Sequence, residues 1–255
     1  MTPRAAAFVL LLAAVAPAGV RAERVDVAVA ANFAPCLADL AGAFHAATGH
    51  DVMAAAGSTG RHHAQILAGA PFDVFLAADS ARPRALEASG HAVPGSRFCY
   101  AEGALVLWWP APPSPAPADL RTALDHPDLR HLAVANPRLA PYGAAARQTL
   151  VALDAWAGRE QARVIGQSVA QAWQFVASGN AQAGLLARSQ LADGKGGLVL
   201  PVPPALHDPV TQDAVLLTRA ENSAAARAFL QFLRGVDAAP IIAAWGYGLP
   251  AAGAP

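Results

Sequence analysis

Three turns in the chain combine residues that start helices with neutral hydrogen-bond donors. They lie at residues 31–35, 57–61 and 136–143. Asn32, Ser58, Thr59 and Tyr142 stand where a strand-like run gives way to a helical pattern. Helix starts expose unpaired backbone N–H groups and the positive end of the helix dipole. Several starts that converge on one point would therefore make an anion site that needs no lysine or arginine.

Each of these turns, taken singly, is also compatible with ordinary helix capping. Asn32, for example, can cap a helix that carries Pro35 in its first turn. Together the turns favour an anion-binding site, because each hydrogen bond to a charged group contributes about 1.5–3 kcal/mol to the free energy of binding. About five to seven such bonds would support tight binding of an anion before ordering costs are subtracted.

Other residues that could do chemistry lack the spacing that the chemistry needs. The turn at 57–61 has no glycine-to-lysine spacing of a P-loop, and Ser58 is not framed as Gly-x-Ser-x-Gly. An exported serine hydrolase that pairs Ser58 with His62 stays open as an alternative. We predict no metal site and no cofactor, because metal-ligand spacing is missing from the loosely clustered histidines His45, His50, His62 and His63.

The N-terminal residues and the composition predict an exported globular protein. Arg4 precedes an apolar run at 5–16 that is too short to span a bilayer, so residues 1–22 form a predicted signal peptide. About 230 residues remain, enough for two lobes in the periplasm or outside the cell. The formal net charge of zero gives no reason to expect nucleic acid as a partner. The two cysteines, Cys36 and Cys99, could form a disulfide or remain buried thiols.

Strand and helix patterns alternate along the mature chain, which is typical of an α/β protein. Strands are predicted at residues 25–31, 51–55, 72–77, 100–109, 131–135, 162–164, 184–186 and 211–217. Helices are predicted between the first three strands and at residues 119–124, 142–156, 169–177, 223–233 and 238–245. Because the run at 72–77 is apolar on both faces, we expect a parallel sheet in the first lobe.

Several motifs recur in the order and spacing of a known family. They are Ala-Ala-Asn-Phe at 30–33, Gly-Ser-Thr-Gly at 57–60, Gly-Ala-Pro-Phe-Asp-Val-Phe-Leu-Ala-Ala-Asp at 69–79, Leu-Val-Leu-Trp at 105–108, Ala-Asn-Pro at 135–137, Ala-Pro-Tyr-Gly at 140–143 and Gly-Tyr-Gly at 246–248. With these motifs the chain resembles the periplasmic molybdate-binding proteins of ABC importers. The resemblance covers nearly the whole mature chain, and the block at 69–79 is its most specific part.

The resemblance implies a periplasmic binding protein of type 2, with two α/β lobes, two crossover segments and a ligand cleft between them. The implied divisions are a first lobe of residues 23–102 and 215–255, a second lobe of residues 103–214, and crossovers near 101–105 and 213–215. It further implies a monomer that is not an enzyme and that delivers molybdate or tungstate to an ABC permease. A binding protein for another oxyanion, such as sulfate, is the second interpretation.

The resemblance also implies a set of ligand-binding residues. They are Ala31, Asn32, Ser58, Thr59, Tyr142 and Val169. The chain departs from the family at two places. Some members supply a tyrosine where Ala187 stands, and a hydroxyl residue is common where Ala31 or Asn32 stands. The amide of Asn32 would then have to replace that hydroxyl.

Overall fold

The computed structural model describes residues 22–192 and 194–250. The predicted signal peptide, apart from Ala22, lies outside the described residues. Within the described ranges, no helix is long and apolar enough to cross a membrane.

Within residues 22–192 and 194–250, ten strands form two five-stranded sheets. In chain order the strands are β1 (Arg24–Ala30), β2 (Asp51–Gly57), β3 (Val74–Ala77), β4 (Phe98–Gly103), β5 (Leu105–Trp109), β6 (Leu132–Ala135), β7 (Arg163–Gly166), β8 (Ala183–Ala187), β9 (Leu198–Pro201) and β10 (Val210–Leu216). The first sheet has the order β2-β1-β3-β10-β4, and the second has the order β7-β6-β8-β5-β9. The expected two-lobed α/β architecture is confirmed.

In the part of the chain that the structure describes, eight α-helices cover these sheets. They are α1 (Ala34–Thr48), α2 (Thr59–Leu67), α3 (Ala81–Ala88), α4 (Leu120–Leu124), α5 (Pro141–Ala152), α6 (Val169–Ala177), α7 (Ala224–Arg234) and α8 (Ala238–Ala244). The sequence pattern predicts most of them, but it misses α3 and places the end of α5 too late. Helix α5 ends at Ala152 because the chain turns at Asp154, whose backbone φ of 52° is left-handed.

Both sheets are mixed, so the expectation of a parallel first sheet is wrong in part. Strand β1 runs parallel to β2 and β3, whereas β10 runs antiparallel to β3 and β4. The second sheet repeats this arrangement, with β6 parallel to β7 and β8 and with β5 antiparallel to β8 and β9. The antiparallel strands β5 and β10 are the first strands that the chain forms after each crossing between the sheets.

The crossings between the sheets lie at two places. The extended run predicted at 100–109 is two strands in different sheets, separated by Ala104 alone. The second crossing lies at 202–209, not at 213–215, because all of β10 belongs to the first sheet. The predicted lobe boundary between residues 214 and 215 therefore falls inside β10, and the exact division of the lobes stays a prediction.

Each sheet has a core of its own. In the first lobe, α1, α7 and α8 pack on β1 and β3, and α7 presents Ala226, Phe229, Leu230 and Leu233 at helical spacing. Complete burial of a side chain such as Phe229 stabilises the fold by about 1.5–3 kcal/mol. The second core gathers around β5, β6 and β8. A third cluster, which includes Phe75 and Leu86, covers the opposite face of the first sheet.

Both cysteines are free thiols, with Cys36 buried in α1 and Cys99 partly buried in β4. Burial, reinforced by the charge of Asp39, raises the pKa of Cys36 to about 12. At pH 8 only about one part in ten thousand of such a thiol is thiolate, the reactive form. We therefore expect a thiol reagent at pH 8 to modify Cys36 only after unfolding, as measured by intact mass. Rapid modification of Cys36 in the folded protein would contradict this prediction. So would an intact mass lower than that of the reduced chain by two hydrogen atoms, since that loss indicates a disulfide.

Candidate functional site

A small cavity lies between the two lobes, where the starts of four helices meet. All of its lining residues are uncharged. They are Ala30, Ala31, Asn32, Gly57, Ser58, Thr59, Ala78, Ala140, Pro141, Tyr142, Ser168 and Val169. The structure thus brings together all six residues that the sequence points to, Ala31, Asn32, Ser58, Thr59, Tyr142 and Val169.

The register of the parallel strands places these helix starts side by side. Ala30 at the end of β1 pairs with Gly57 at the end of β2, and Ala135 at the end of β6 pairs with Gly166 at the end of β7. The turns that follow these strands emerge at the carboxyl edges of their sheets. Helices α1 and α2 therefore start on one side of the cavity, and α5 and α6 start on the other.

The first turns of three of these helices have no capping side chain. Phe33 at the start of α1, Ser58 at the start of α2 and Ala140 at the start of α5 make no side-chain capping bond. At α6, Oγ of Ser168 accepts a hydrogen bond from the N–H of Gln171 at 3.3 Å. This cap does not use the N–H of Val169, which stands earlier in the same turn. Uncapped first turns leave backbone donors for another acceptor, and an anion in the cavity would supply one.

The side-chain amide of Asn32 is already used inside the protein. Its Nδ2 donates to Oε1 of Gln212 at 2.8 Å and to Oη of Tyr247 at 3.0 Å. The neighbouring backbone N–H of Ala31 donates to the carbonyl of Gly57 at 2.8 Å. The backbone N–H of Asn32 is therefore the donor that this turn retains for the cavity.

Tyr142 holds a buried hydroxyl that has no hydrogen-bond partner within residues 22–192 and 194–250. Its Oη lies against Gly103, where a Cβ atom would come within 2.0 Å of it, so only glycine fits there. Burial, with a smaller effect from Tyr247, holds the pKa of Tyr142 well above its ordinary value. The hydroxyl is therefore a neutral donor, and leaving it unpaired costs about 1–3 kcal/mol.

The two hydroxyl residues of the α2 turn differ in their bonding. Oγ1 of Thr59 accepts a hydrogen bond from the backbone N–H of Ala78 at 3.0 Å, which joins the start of α2 to the end of β3. Oγ of Ser58 makes no hydrogen bond to the described part of the chain. Thr59 therefore holds the turn in place, while Ser58 keeps its hydroxyl for a ligand.

Ser58 and His62 do not form a nucleophile–base pair. Nδ1 of His62 contacts Oε1 of Gln65 at 3.0 Å, and its Nε2 faces the backbone of Gly57. The backbone N–H of His62 donates to the carbonyl of Ser58 at 3.1 Å, but no hydrogen bond joins their side chains in the described ranges. Burial lowers the pKa of the imidazole. The arrangement that a serine hydrolase needs is absent from this turn.

Of the other clustered histidines, His45 and His50 have nearby partners. His45 lies 3.0 Å from a carboxylate oxygen of Asp51, and His50 accepts a hydrogen bond from the N–H of Glu23. Across the residues that the structure describes, no group of three or more metal-ligating side chains could hold a metal ion.

Hydrogen bonds join the two lobes beside the cavity. The N–H of Gly60 donates to the carbonyl of Leu139 at 2.8 Å, and Nη2 of Arg82 donates to the carbonyl of Arg138 at 3.1 Å. A Cβ atom at Gly60 would lie 2.9 Å from the oxygen of Leu139, so a side chain there would separate the lobes. The cavity is thus enclosed by contacts between turns of opposite lobes.

Sequence reasoning missed three buried polar residues beside the cavity, Ser189, Gln212 and the hydroxyl of Tyr247. A signal was available for one of them, because Gln212 is a polar residue in a strand that is otherwise largely apolar. Ala187, where some family members have a tyrosine, is buried at the end of β8 and does not line the cavity.

Comparisons with protein families, curated proteins and solved structures all match this chain to solute-binding proteins. Residues 25–248 match the family model described as bacterial extracellular solute-binding protein. The molybdate-binding protein ModA of Azotobacter vinelandii is 47% identical, covering 90% of this chain and 91% of that protein. ModA of Rhodobacter capsulatus is 43% identical, covering 95% of this chain and 94% of that protein. The solved periplasmic molybdate-binding protein of A. vinelandii superposes with a TM-score of 0.84 at 38% identity, covering 89% of this chain and 99% of that chain.

Proposed function

Because the chain belongs to the bacterial extracellular solute-binding proteins, and among them to the ModA family of molybdate-binding proteins, we propose that it captures molybdate or tungstate between its lobes. It then delivers the ion to the membrane permease of an ABC importer. The observation that carries this proposal is the enclosed, uncharged cavity at four helix starts. Such a site suits a small anion that must be bound and later released unchanged.

The oxyanion would be held by neutral donors from both lobes. The backbone N–H groups of Asn32, Ser58 or Thr59, Tyr142 and Val169 are its proposed partners, together with the hydroxyls of Ser58 and Tyr142. Hydrogen bonds to an ionised acceptor are shorter and stronger than neutral ones. The methyl group of Ala31 and the packing of Thr59 would limit the size of the cavity.

Closure of the lobes would be driven by the ion itself. An ion that contacts α2 and α5 at once binds the closed form better than the open form, and this differential affinity shifts the population toward closure. The permease would then recognise the closed form. Export by the signal peptide at residues 1–22 would place the protein in the periplasm, where it acts as a monomer, without a cofactor and without catalysis.

Selectivity over sulfate would depend on the radius of the ion. Molybdate, tungstate and sulfate share charge and tetrahedral shape, so a fixed cavity separates them mainly by size and by the geometry of its donors. The enclosed cavity and its small lining residues support this mechanism.

Parallel calorimetric titrations of the purified mature protein with molybdate, tungstate and sulfate test the proposal. We expect heat and saturation at one ion per chain for molybdate and tungstate, and far weaker binding of sulfate. The first two ions should also raise the melting temperature, because they bind only the folded state. A response to sulfate alone would refute the specificity, and turnover of an ester substrate would favour the hydrolase.

A further inference from the structure

A buried network of hydrogen bonds surrounds Asn32 on the side away from the cavity. Its members are Asn32, Ser189, Gln212 and Tyr247, each of them at most 5% exposed. Besides the two bonds that the Asn32 amide donates, its backbone carbonyl accepts from Oη of Tyr247 at 2.8 Å and from Oγ of Ser189 at 3.2 Å. Tyr247 and Ser189 also contact each other at 3.0 Å. The side chain and the carbonyl of Asn32 are therefore both fixed.

The partners of Asn32 come from three distant parts of the fold. Gln212 lies in β10, and Ser189 lies in the short 3₁₀ helix Arg188–Leu191 that follows β8 of the second sheet. Tyr247 belongs to the segment after α8, which is joined to β4 by two backbone hydrogen bonds between Glu102 and Gly248. The network thus connects both lobes and the C-terminal segment at one residue.

None of the three partners lines the cavity. Gln212 is itself oriented, since its Nε2 donates to the carbonyl of Val210 at 3.0 Å. Buried polar groups are tolerated only where their partners are in place, and in a shared network each member fixes the others. The bonds to its side chain and carbonyl hold the Cα and nitrogen of Asn32 in place, and the bond from the Ala31 N–H to Gly57 holds the preceding residue. Together these bonds fix the direction of the Asn32 backbone N–H.

We propose that Ser189, Gln212 and Tyr247 are positioning residues for oxyanion binding, which hold Asn32 so that its backbone N–H is aimed at the ion. The proposal rests on the function proposed above. Ser189 also joins the two lobes, because its Oγ, in the second lobe, donates to the carbonyl of Asn32 in a turn of the first. Closure of the lobes and the aim of the Asn32 donor are therefore coupled.

The test compares Tyr247→Phe with a matched control, Tyr100→Phe. Both rings pack edge-on against Phe33, with centroids 5.2 Å and 4.8 Å away. The hydroxyl of Tyr100, unlike that of Tyr247, has no hydrogen-bond partner in the described ranges. We expect the molybdate Kd, measured by titration calorimetry well below the melting temperature, to rise about tenfold for Tyr247→Phe. For Tyr100→Phe it should stay within about twofold of the wild type.

Ser189 supplies a second, independent pair of variants. Ser189→Ala should raise the Kd, and Ser189→Thr, which keeps the hydroxyl, should restore it. A merely structural role would lower the melting temperature of the unliganded protein without this dependence of the Kd on the hydroxyl. Should Tyr247→Phe fail to fold, the Ser189 pair carries the test alone.

The outcomes separate this inference from the proposed function. A wild-type protein that binds no molybdate refutes the proposed function itself. If the wild type binds, the positioning role is overturned when Tyr247→Phe and Ser189→Ala keep the wild-type Kd. It is also overturned when Tyr247→Phe and Tyr100→Phe weaken binding equally, since the aromatic packing would then be responsible.

Discussion

Ser58→Asp is expected to abolish oxyanion binding, with an affinity loss of at least about a thousandfold. Ser58 is 5% exposed, lines the cavity and starts α2. A carboxylate at this position would lie about 4 Å from a bound dianion. At an effective dielectric constant of about 20, each pair of unit charges at that distance repels by about 4 kcal/mol. Isothermal titration with molybdate measures the loss.

The fold should survive this change, because aspartate is a favoured helix cap. Ser223→Asp is the matched control. Ser223 also starts a helix, α7, where its Oγ accepts from the N–H of Ala226 at 3.1 Å, but it does not line the cavity. The control should bind molybdate as the wild type does. Retention of affinity by Ser58→Asp would mean that the ion binds elsewhere.

Tyr142→Phe is expected to weaken binding without weakening the fold. A hydrogen bond to a charged acceptor contributes about 1.5–3 kcal/mol, so the molybdate Kd should rise about tenfold to a hundredfold. In the unliganded protein the same hydroxyl is buried without a partner in the described ranges. Its removal should therefore leave the free energy of unfolding unchanged or raise it by about 1 kcal/mol. Titration calorimetry and denaturant unfolding measure the two quantities separately.

Tyr100→Phe again provides the comparison. Tyr100 has an equally buried and unpartnered hydroxyl within the described chain, but it does not line the cavity. Both variants should be at least as stable as the wild type, and only Tyr142→Phe should lose affinity. If Tyr142→Phe binds molybdate normally, the hydroxyl is not a ligand and Tyr142 contributes at most its backbone N–H.

The cavity accounts for why a protein of zero net charge can hold a dianion. Its lining contains no cation, so under the proposed function the attraction would come from backbone dipoles and hydroxyl groups that the fold has already oriented. Donors that are fixed before binding lose little entropy when the ion arrives. The fixed donors and the small lining residues would together favour one ion size.

The amino-acid sequence by itself determined the alternation of strands and helices, the six residues at the cavity and the family. Ser58 is recognisable at a helix start because strand and helix periodicities change beside it, whereas Val169 follows only from the family resemblance. The block at 69–79 carries the family resemblance within a single stretch of chain.

Only the tertiary structure decided which atoms of those residues are already bonded inside the protein and which are not. The side-chain amide of Asn32 is directed to Gln212, 180 positions away, and the hydroxyl of Tyr142 lies beside Gly103 in another strand. Tertiary structure also divided the run at 100–109 between two sheets and assigned all of β10 to the first. The reason is physical: local patterns set helices and strands, whereas hydrogen-bond partners and strand neighbours are fixed by packing between segments far apart in the chain.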